Sequence, residues 1–140
     1  MDVCGIFFMV LYTKCIFLPV APEDGLRVSV MSRHTLADGK TPDPRITSSS
    51  FDRKMTSLAP PDKLVGAYYR GEVSWEEYAK QYEDHLHIPD NRLFLSNIAR
   101  QALIQDITLL CVEDTPDKCH RRLLAEEFKR LEEKLVVVHR

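Results

Sequence analysis

Apolar positions in this chain change period along its length, from short strand-like runs to stripes at helical spacing. Met9–Phe17 (MVLYTKCIF) is a nearly continuous apolar run and predicts a strand. Leu26–Met31 alternates, with Leu26, Val28 and Val30 on one face, and predicts a second strand. Pro60-Pro61 opens a helix to about Arg70, with Leu64, Val65, Tyr68 and Tyr69 apolar and Gly71 as its stop. Ser74 is the expected N-cap of the next helix. Glu77 would complete a capping box, and Val73 would staple against Tyr78. Trp75, Tyr78, Ala79, Tyr82 and Leu86 form its apolar stripe. Pro89 starts a further helix, with Phe94, Leu95, Ile98 and Ala102 inward, ending near Ile104. Ile107–Val112 is a β-branched-rich run expected to be buried on both faces. Leu123, Leu124, Phe128 and Leu131 mark the packed side of a last long helix, and Leu135–Val138 a final short strand.

Strands separated by helical stretches imply an α/β fold. The expectation is one small domain over residues 1–140, with a largely parallel, Rossmann-like or flavodoxin-like sheet of about four strands flanked by helices. The pattern is complete from Met9, which leaves residues 1–8 as an N-terminal extension. One segment breaks the alternation. Ser32–Ser50 has no apolar period, is rich in Gly, Pro, Asp, Ser and Thr, and carries Arg33, His34, Lys40 and Arg45. A loop this long in a small domain is usually functional or disordered. Phe51–Leu58 reads as a short helical turn.

Composition narrows the function classes. The chain has 140 residues, 44% of them hydrophobic and 29% charged, within the ordinary range for a soluble domain. A formal net charge of −2 argues against bulk nucleic-acid binding through dense positive charge. Met1–Val20 is apolar but contains Asp2 and Lys14 and lacks a basic leader, so it predicts a buried strand, with no membrane association expected. The four cysteines, Cys4, Cys15, Cys111 and Cys119, contain no C-x-x-C and fit reduced thiols in a cytoplasmic protein. Cys111, Cys119 and His120 have the residue types of a zinc site, but their spacing matches no common zinc module, so neither a metal nor a cofactor is expected.

Candidate chemistry concentrates in Ile107–Arg122, ITLLCVEDTPDKCHRR. Glu113 and Asp114 follow the strand, and Thr115-Pro116 has the form of a helix start. Cys119, His120 and Arg121 would then fall in the first turn or so, where unpaired N–H groups and the helix dipole favour anions and thiolates. At about 100° per residue His120 shares the face of Leu124 and Leu131, Arg121 sits at its flank, and Cys119 turns toward the side of Leu123. If the strands from Leu26 and Ile107 are parallel, Ser32, Arg33 and His34 face Glu113 and the Cys119-His120-Arg121 turn, where open α/β sheets bind ligands. A Cys-x5-Arg phosphatase loop from Cys119 fails, because residue 125 is Ala125. No G-x-x-x-x-G-K-[ST] or G-x-G-x-x-G is present either.

The stretch TLLCVEDTPDKCHRRLLAEEF resembles the domain-of-unknown-function family 488 (DUF 488). The resemblance lies in a strand ending L-L-C-x-E, then C-H-R-x-L-[LV]-A opening the last helix. Here these are Leu109, Leu110, Cys111 and Glu113, then Cys119, His120, Arg121, Leu123, Leu124 and Ala125. It extends through Val28–His34, Leu58-Ala59-Pro60-Pro61, Ala67–Gly71 and Trp75-Glu76-Glu77-Tyr78, from Met9 to Leu131. The first loop departs from the family's usual form, and Met1–Phe8 lies outside. The resemblance implies a small α/β domain and no particular reaction.

Three functions follow as expectations. In the first, the domain binds or acts on a small anionic ligand, phosphate- or nucleotide-like. Cys119 would be nucleophile, His120 acid/base and Glu113 orienter, with Arg121, Ser32, Arg33 and His34 as ligand contacts. In the second, less favoured, the basic loop contacts nucleic-acid phosphates. In the third, the C-H-R cluster only locks the last helix to the sheet of a structural or partner-binding domain. Monomer and homodimer both fit the sequence.

Overall fold

The computed structural model describes residues 9–113 and 117–140. Among the described residues five strands form one sheet: β1 (Val10–Cys15), β2 (Leu26–Ser29), β3 (Arg53–Lys54), β4 (Ile107–Cys111) and β5 (Val136–His139). Their spatial order is β3-β2-β4-β1-β5, and every pairing is parallel. The central strand β4 is buried at all of its positions, as its unbroken apolar sequence requires. It pairs Ile107 with Leu11 on one side and with Leu26 on the other.

β3 replaces most of the helical turn expected over Phe51–Leu58. The outer edge of β2 has free backbone groups, and Asp52 N–H donates to Arg27 O at 2.8 Å while Met55 N–H donates to Ser29 O at 2.9 Å. Only Thr56–Leu58 remains as a single 3-10 turn. The last strand runs Val136–His139 rather than Leu135–Val138, and Leu135 is instead buried at its start.

Four helices among the described residues follow the expected stripes: α1 (Asp62–Tyr69), α2 (Trp75–Leu86), α3 (Pro89–Ala102) and α4 (His120–Leu131). Leu64, Tyr82, Leu86, Leu95, Ala102, Leu124 and Phe128 share one core with Leu11, Val28, Ile107 and Leu109 of the sheet. Phe94, expected inward, is exposed, and Tyr69 is exposed at the end of α1. Ser74 caps α2 by accepting the Glu77 N–H at 3.1 Å. The reciprocal arm of the capping box is absent, because the Glu77 carboxylate accepts from Gln81 at 3.0 Å instead. Replacing Ser74→Ala removes the cap, and urea unfolding is expected to show a loss of about 1 kcal/mol.

The sheet face opposite the helices carries charge. Lys14, Arg27 and Asp24 are all buried there. Lys14 Nζ donates to both Asp24 carboxylate oxygens at 3.0 and 2.8 Å, and Arg27 Nη1 donates at 2.6 Å. Asp24 closes the 3-10 turn Pro22–Asp24 between β1 and β2, and its own carbonyl accepts the Thr108 hydroxyl of β4 at 2.7 Å. Lys14, which interrupts the apolar run of β1 in the sequence, is thus the buried partner of a carboxylate.

Candidate active site at the strand ends

Because the strands are parallel, their carboxyl ends share one edge, and the chain leaving them forms a cleft of about 390 Å³. Phe17 follows β1, Met31, Ser32 and Arg33 follow β2, and Cys111, Val112 and Glu113 end β4. His120 opens α4, while Tyr69 and Tyr78 enter from α1 and α2. Ser32 and Arg33 therefore line one cavity with Glu113 and His120, which come from a distant stretch of the sequence.

The loop after β2 is built rather than structureless. Thr35 bridges Pro42, and Leu36 N–H donates to Thr41 O at 2.8 Å. Asp38 accepts from the N–H groups of Lys40 and Thr41 at 2.9 Å each, closing the turn at Gly39. Gly39 has φ +72°, and a Cβ there would stand 2.8 Å from the Arg33 guanidinium, so the bare backbone makes room for that side chain. Asp43 takes both arms of Arg45, at 3.0 and 2.7 Å, and the Arg45 guanidinium lies 4.0 Å over the Phe17 ring. Arg45 is thereby neutralised at the cleft, whereas Arg33 makes no hydrogen bond or close ion pair with any described residue and acts on the Asp38 carboxylate only through space.

His34, expected to face the ligand, turns away from the cleft. Its Nε2 lies 2.6 Å from the Ser29 hydroxyl and its ring packs on Phe51 at 4.9 Å. Burial, and then the Lys54 charge, lowers its pKa, which keeps it neutral near pH 7.

The start of α4 differs from the expected geometry. The helix begins at His120 with Cys119 as N-cap, so the expected opening at Thr115-Pro116 is not where α4 starts; Asp114, Thr115 and Pro116 lie outside the described residues. With Cys119 in extended backbone (φ −131°, ψ 139°), a helical phase does not apply to it. Its side chain is buried beside Cys111 rather than turned away, and it does not line the cleft. Burial, and then the neighbouring Cys111 thiol, pushes the Cys119 thiol up, the opposite of an activated nucleophile.

Arg121, expected at the flank of the helix, is fully buried. Its Nη1 donates to the Glu113 carbonyl at 2.5 Å and approaches Cys119 Sγ at 3.9 Å. Its Nε and Nη2 have no partner among the described residues. The guanidinium thereby ties the end of β4 to the first turn of α4.

His120 is sheet-facing, as its helical phase requires. Its Nε2 lies 2.6 Å from Val30 O, and a carbonyl has no proton to give, so Nε2 carries the ring proton. Nδ1 then presents its lone pair to Cys111 Sγ, 3.6 Å away. Tyr82 packs edge-on at 5.6 Å and donates its own hydroxyl to Leu58 O, which fixes the imidazole plane from the helix side.

Glu113 accepts the Tyr69 hydroxyl at 2.7 Å across the mouth of the cleft. Desolvation, and then the Glu113 carboxylate, pushes the Tyr69 phenol up, so it stays a hydrogen-bond donor. Sequence patterning places Tyr69 among the apolar positions of α1, and nothing in its spacing marks it as a partner of Glu113. Cys111, weighed in the sequence only as a metal-ligand type beside Cys119 and His120, is set at the cleft by its position as last residue of β4.

Among the described residues, no helix is long and apolar enough to cross a membrane. Neither the curated proteins nor the solved structures compared with the chain gave a match. A family model described as the active DUF488-N3 subclade matches residues 11–132, which takes in β1 from its second residue, β2, β3, β4, the four helices and every residue of the cleft, and leaves β5 outside. The chain belongs to the DUF488 family.

Proposed function

We propose that the strand-end cleft binds, and acts on, a small anionic molecule of phosphate- or nucleotide-like chemistry. The observation that carries this is Arg33: a guanidinium held over a glycine at the wall of a cavity, with no hydrogen-bonding or close ion-pairing partner among the described residues. Arginine's planar fork matches an oxyanion with two parallel N–H donors. Ser32 beside it offers a hydroxyl, and Phe17, Met31, Val65 and Tyr78 supply an apolar wall for the rest of the ligand. On the other side, the Glu113 carboxylate with its Tyr69 donor is the pair placed to orient the ligand or exchange a proton with it. Cys119 and Arg121 serve as positioning residues: they hold the end of β4 against α4 and leave the ligand to the groups around them. The subclade's description as active agrees with a reacting cleft.

Calorimetric titration with adenosine monophosphate and with inorganic pyrophosphate tests this on the chelator-treated, metal-free chain. Arg33→Ala is expected to weaken binding about tenfold or more, since a charge-assisted hydrogen bond contributes roughly 1.5–3 kcal/mol. Lys80→Ala, which alters a cation paired with Asp84 and absent from the cleft wall, should leave binding unchanged. Equal affinities for wild type and Arg33→Ala would remove anion recognition from this cleft.

A further inference from the structure

We infer that Cys111, Cys119 and His120 form a binding site for a zinc-class divalent ion, open on one side to the cleft. The inference deepens the reading of the cleft as a working site, but it rests on different atoms. The two sulfurs and one ring nitrogen lie within 4.8 Å of one another, and all three residues are buried. Tetrahedral zinc with Zn–S near 2.3 Å and Zn–N near 2.05 Å sets sulfur and nitrogen about 3.5 Å apart. Cys111 Sγ and His120 Nδ1 stand 3.6 Å apart in the structure.

The imidazole is arranged as a ligand is. Metal-bound histidine commonly gives its other ring proton to a carbonyl or carboxylate, which fixes the tautomer and aims the lone pair. His120 does this with Val30 O at 2.6 Å, on the far side of the ring from the sulfurs. A histidine needed only to satisfy a thiol would not require a second, shorter anchor.

Charge fits as well. Coordination releases the proton of each thiol, two per ion, and the resulting dithiolate neutralises a divalent cation. The Arg121 guanidinium, 3.9 Å from Cys119 Sγ, remains as a buried positive charge with two nitrogens unpartnered among the described residues. Two cysteines and one histidine leave a fourth tetrahedral position vacant, the donor set of a catalytic zinc. Cys111 and His120 line the cleft whereas Cys119 does not, which puts the vacant position on the cleft side of the ion.

Cobalt(II) serves as the probe, added to the full reduced chain without any anionic ligand. One equivalent should give the ligand-field bands of tetrahedral cobalt and strong thiolate-to-cobalt charge transfer, both removed by zinc. Cys111→Ala and Cys119→Ala should each lose the tetrahedral bands, His120→Asn should shift or lose them, and Cys15→Ala should keep them. No such bands in the reduced wild-type chain, or bands that survive Cys111→Ala, would overturn the site. Formation of a Cys111–Cys119 disulfide in air with no metal uptake beforehand would do the same. Should the cysteine variants fail to fold, X-ray absorption on the zinc-loaded wild type decides without them. Two sulfurs at about 2.3 Å with one imidazole nitrogen are expected, and a shell of nitrogen and oxygen alone is contradictory. Anion binding by the metal-free chain is measured separately, so either reading can fail while the other stands.

Discussion

Replacing Asp24→Asn is expected to destabilise the protein by about 3–5 kcal/mol, the usual cost of breaking a buried ion pair by removing one partner. The substitution keeps the shape and deletes only the charge. Lys14 and Arg27 would then lie buried with no carboxylate between them, and Arg140 would lose its contact at 3.2 Å. Chemical denaturation of wild type and variant measures the loss directly. Replacing all three groups with apolar residues of similar volume should recover much of it, because the penalty comes from uncompensated charge rather than from the space occupied.

The same carboxylate sets a pH dependence. Burial alone would raise the Asp24 pKa, but donation from Lys14, the Ala21 N–H and Arg27 outweighs it and leaves a net lowering. A carboxyl with a depressed folded pKa contributes stability that is fully present above its unfolded value, near 3.9. That contribution is lost as pH falls from there through the lower folded value. Wild type should therefore lose stability more steeply than Asp24→Asn below about pH 4. Parallel acid limbs in the two proteins would show that Asp24 is not held ionised by its partners.

Gly25→Ala is expected to cost at least about 3 kcal/mol, since Gly-only backbone strain of roughly 1–3 kcal/mol is joined by a backbone collision. Gly25 has φ +62° and ψ −135°, a conformation that a side chain does not tolerate. An added Cβ would also sit 2.2 Å from the carbonyl oxygen of Asp106. That carbonyl accepts the Leu26 N–H at 3.0 Å, and the Asp106 side chain accepts the Val10 N–H at 2.8 Å. Asp106 thus ties the beginnings of β1 and β2 to the entry of β4, and moving it disturbs all three central strands. Thermal unfolding should show a midpoint lowered by about 10 °C, at a few degrees per kcal/mol for a domain of this size. A shift under 2–3 °C, roughly 1 kcal/mol, would mean that the strands absorb the displacement.

How much of this was legible in the sequence varies with the physics behind each feature. The strands and helices declared themselves by period: the unbroken run of β4 and the Trp75–Leu86 stripe over a Ser74 cap are local patterns. The parallel sheet brought Ser32, Arg33, Glu113 and His120 to one edge, and helical phase turned His120 toward it. Phase misled for Cys119, because α4 begins only at His120 and the residue before it is extended; Arg121 lies within the helix, and its burial comes from its hydrogen bond to the end of β4, which phase does not report. The ion cluster was not legible, since Lys14, Asp24 and Arg27 meet only when β1 and β2 flank β4 and the intervening turn folds back between them. The two-residue β3 escaped for a related reason: its strand character comes from the open edge of β2, not from its own side chains.

The most direct test of the cleft as the working site is to map backbone amide shifts while adenosine monophosphate is titrated into the isotope-labelled chain. Saturable shifts should cluster at Ser32, Arg33, Thr35, Val112, Glu113 and His120, from three separate stretches of sequence that share one cavity. Shifts confined to the α4–β5 groove around Lys129, Lys134 and His139, or no saturable shifts at all, would contradict an anion-binding site at the strand ends.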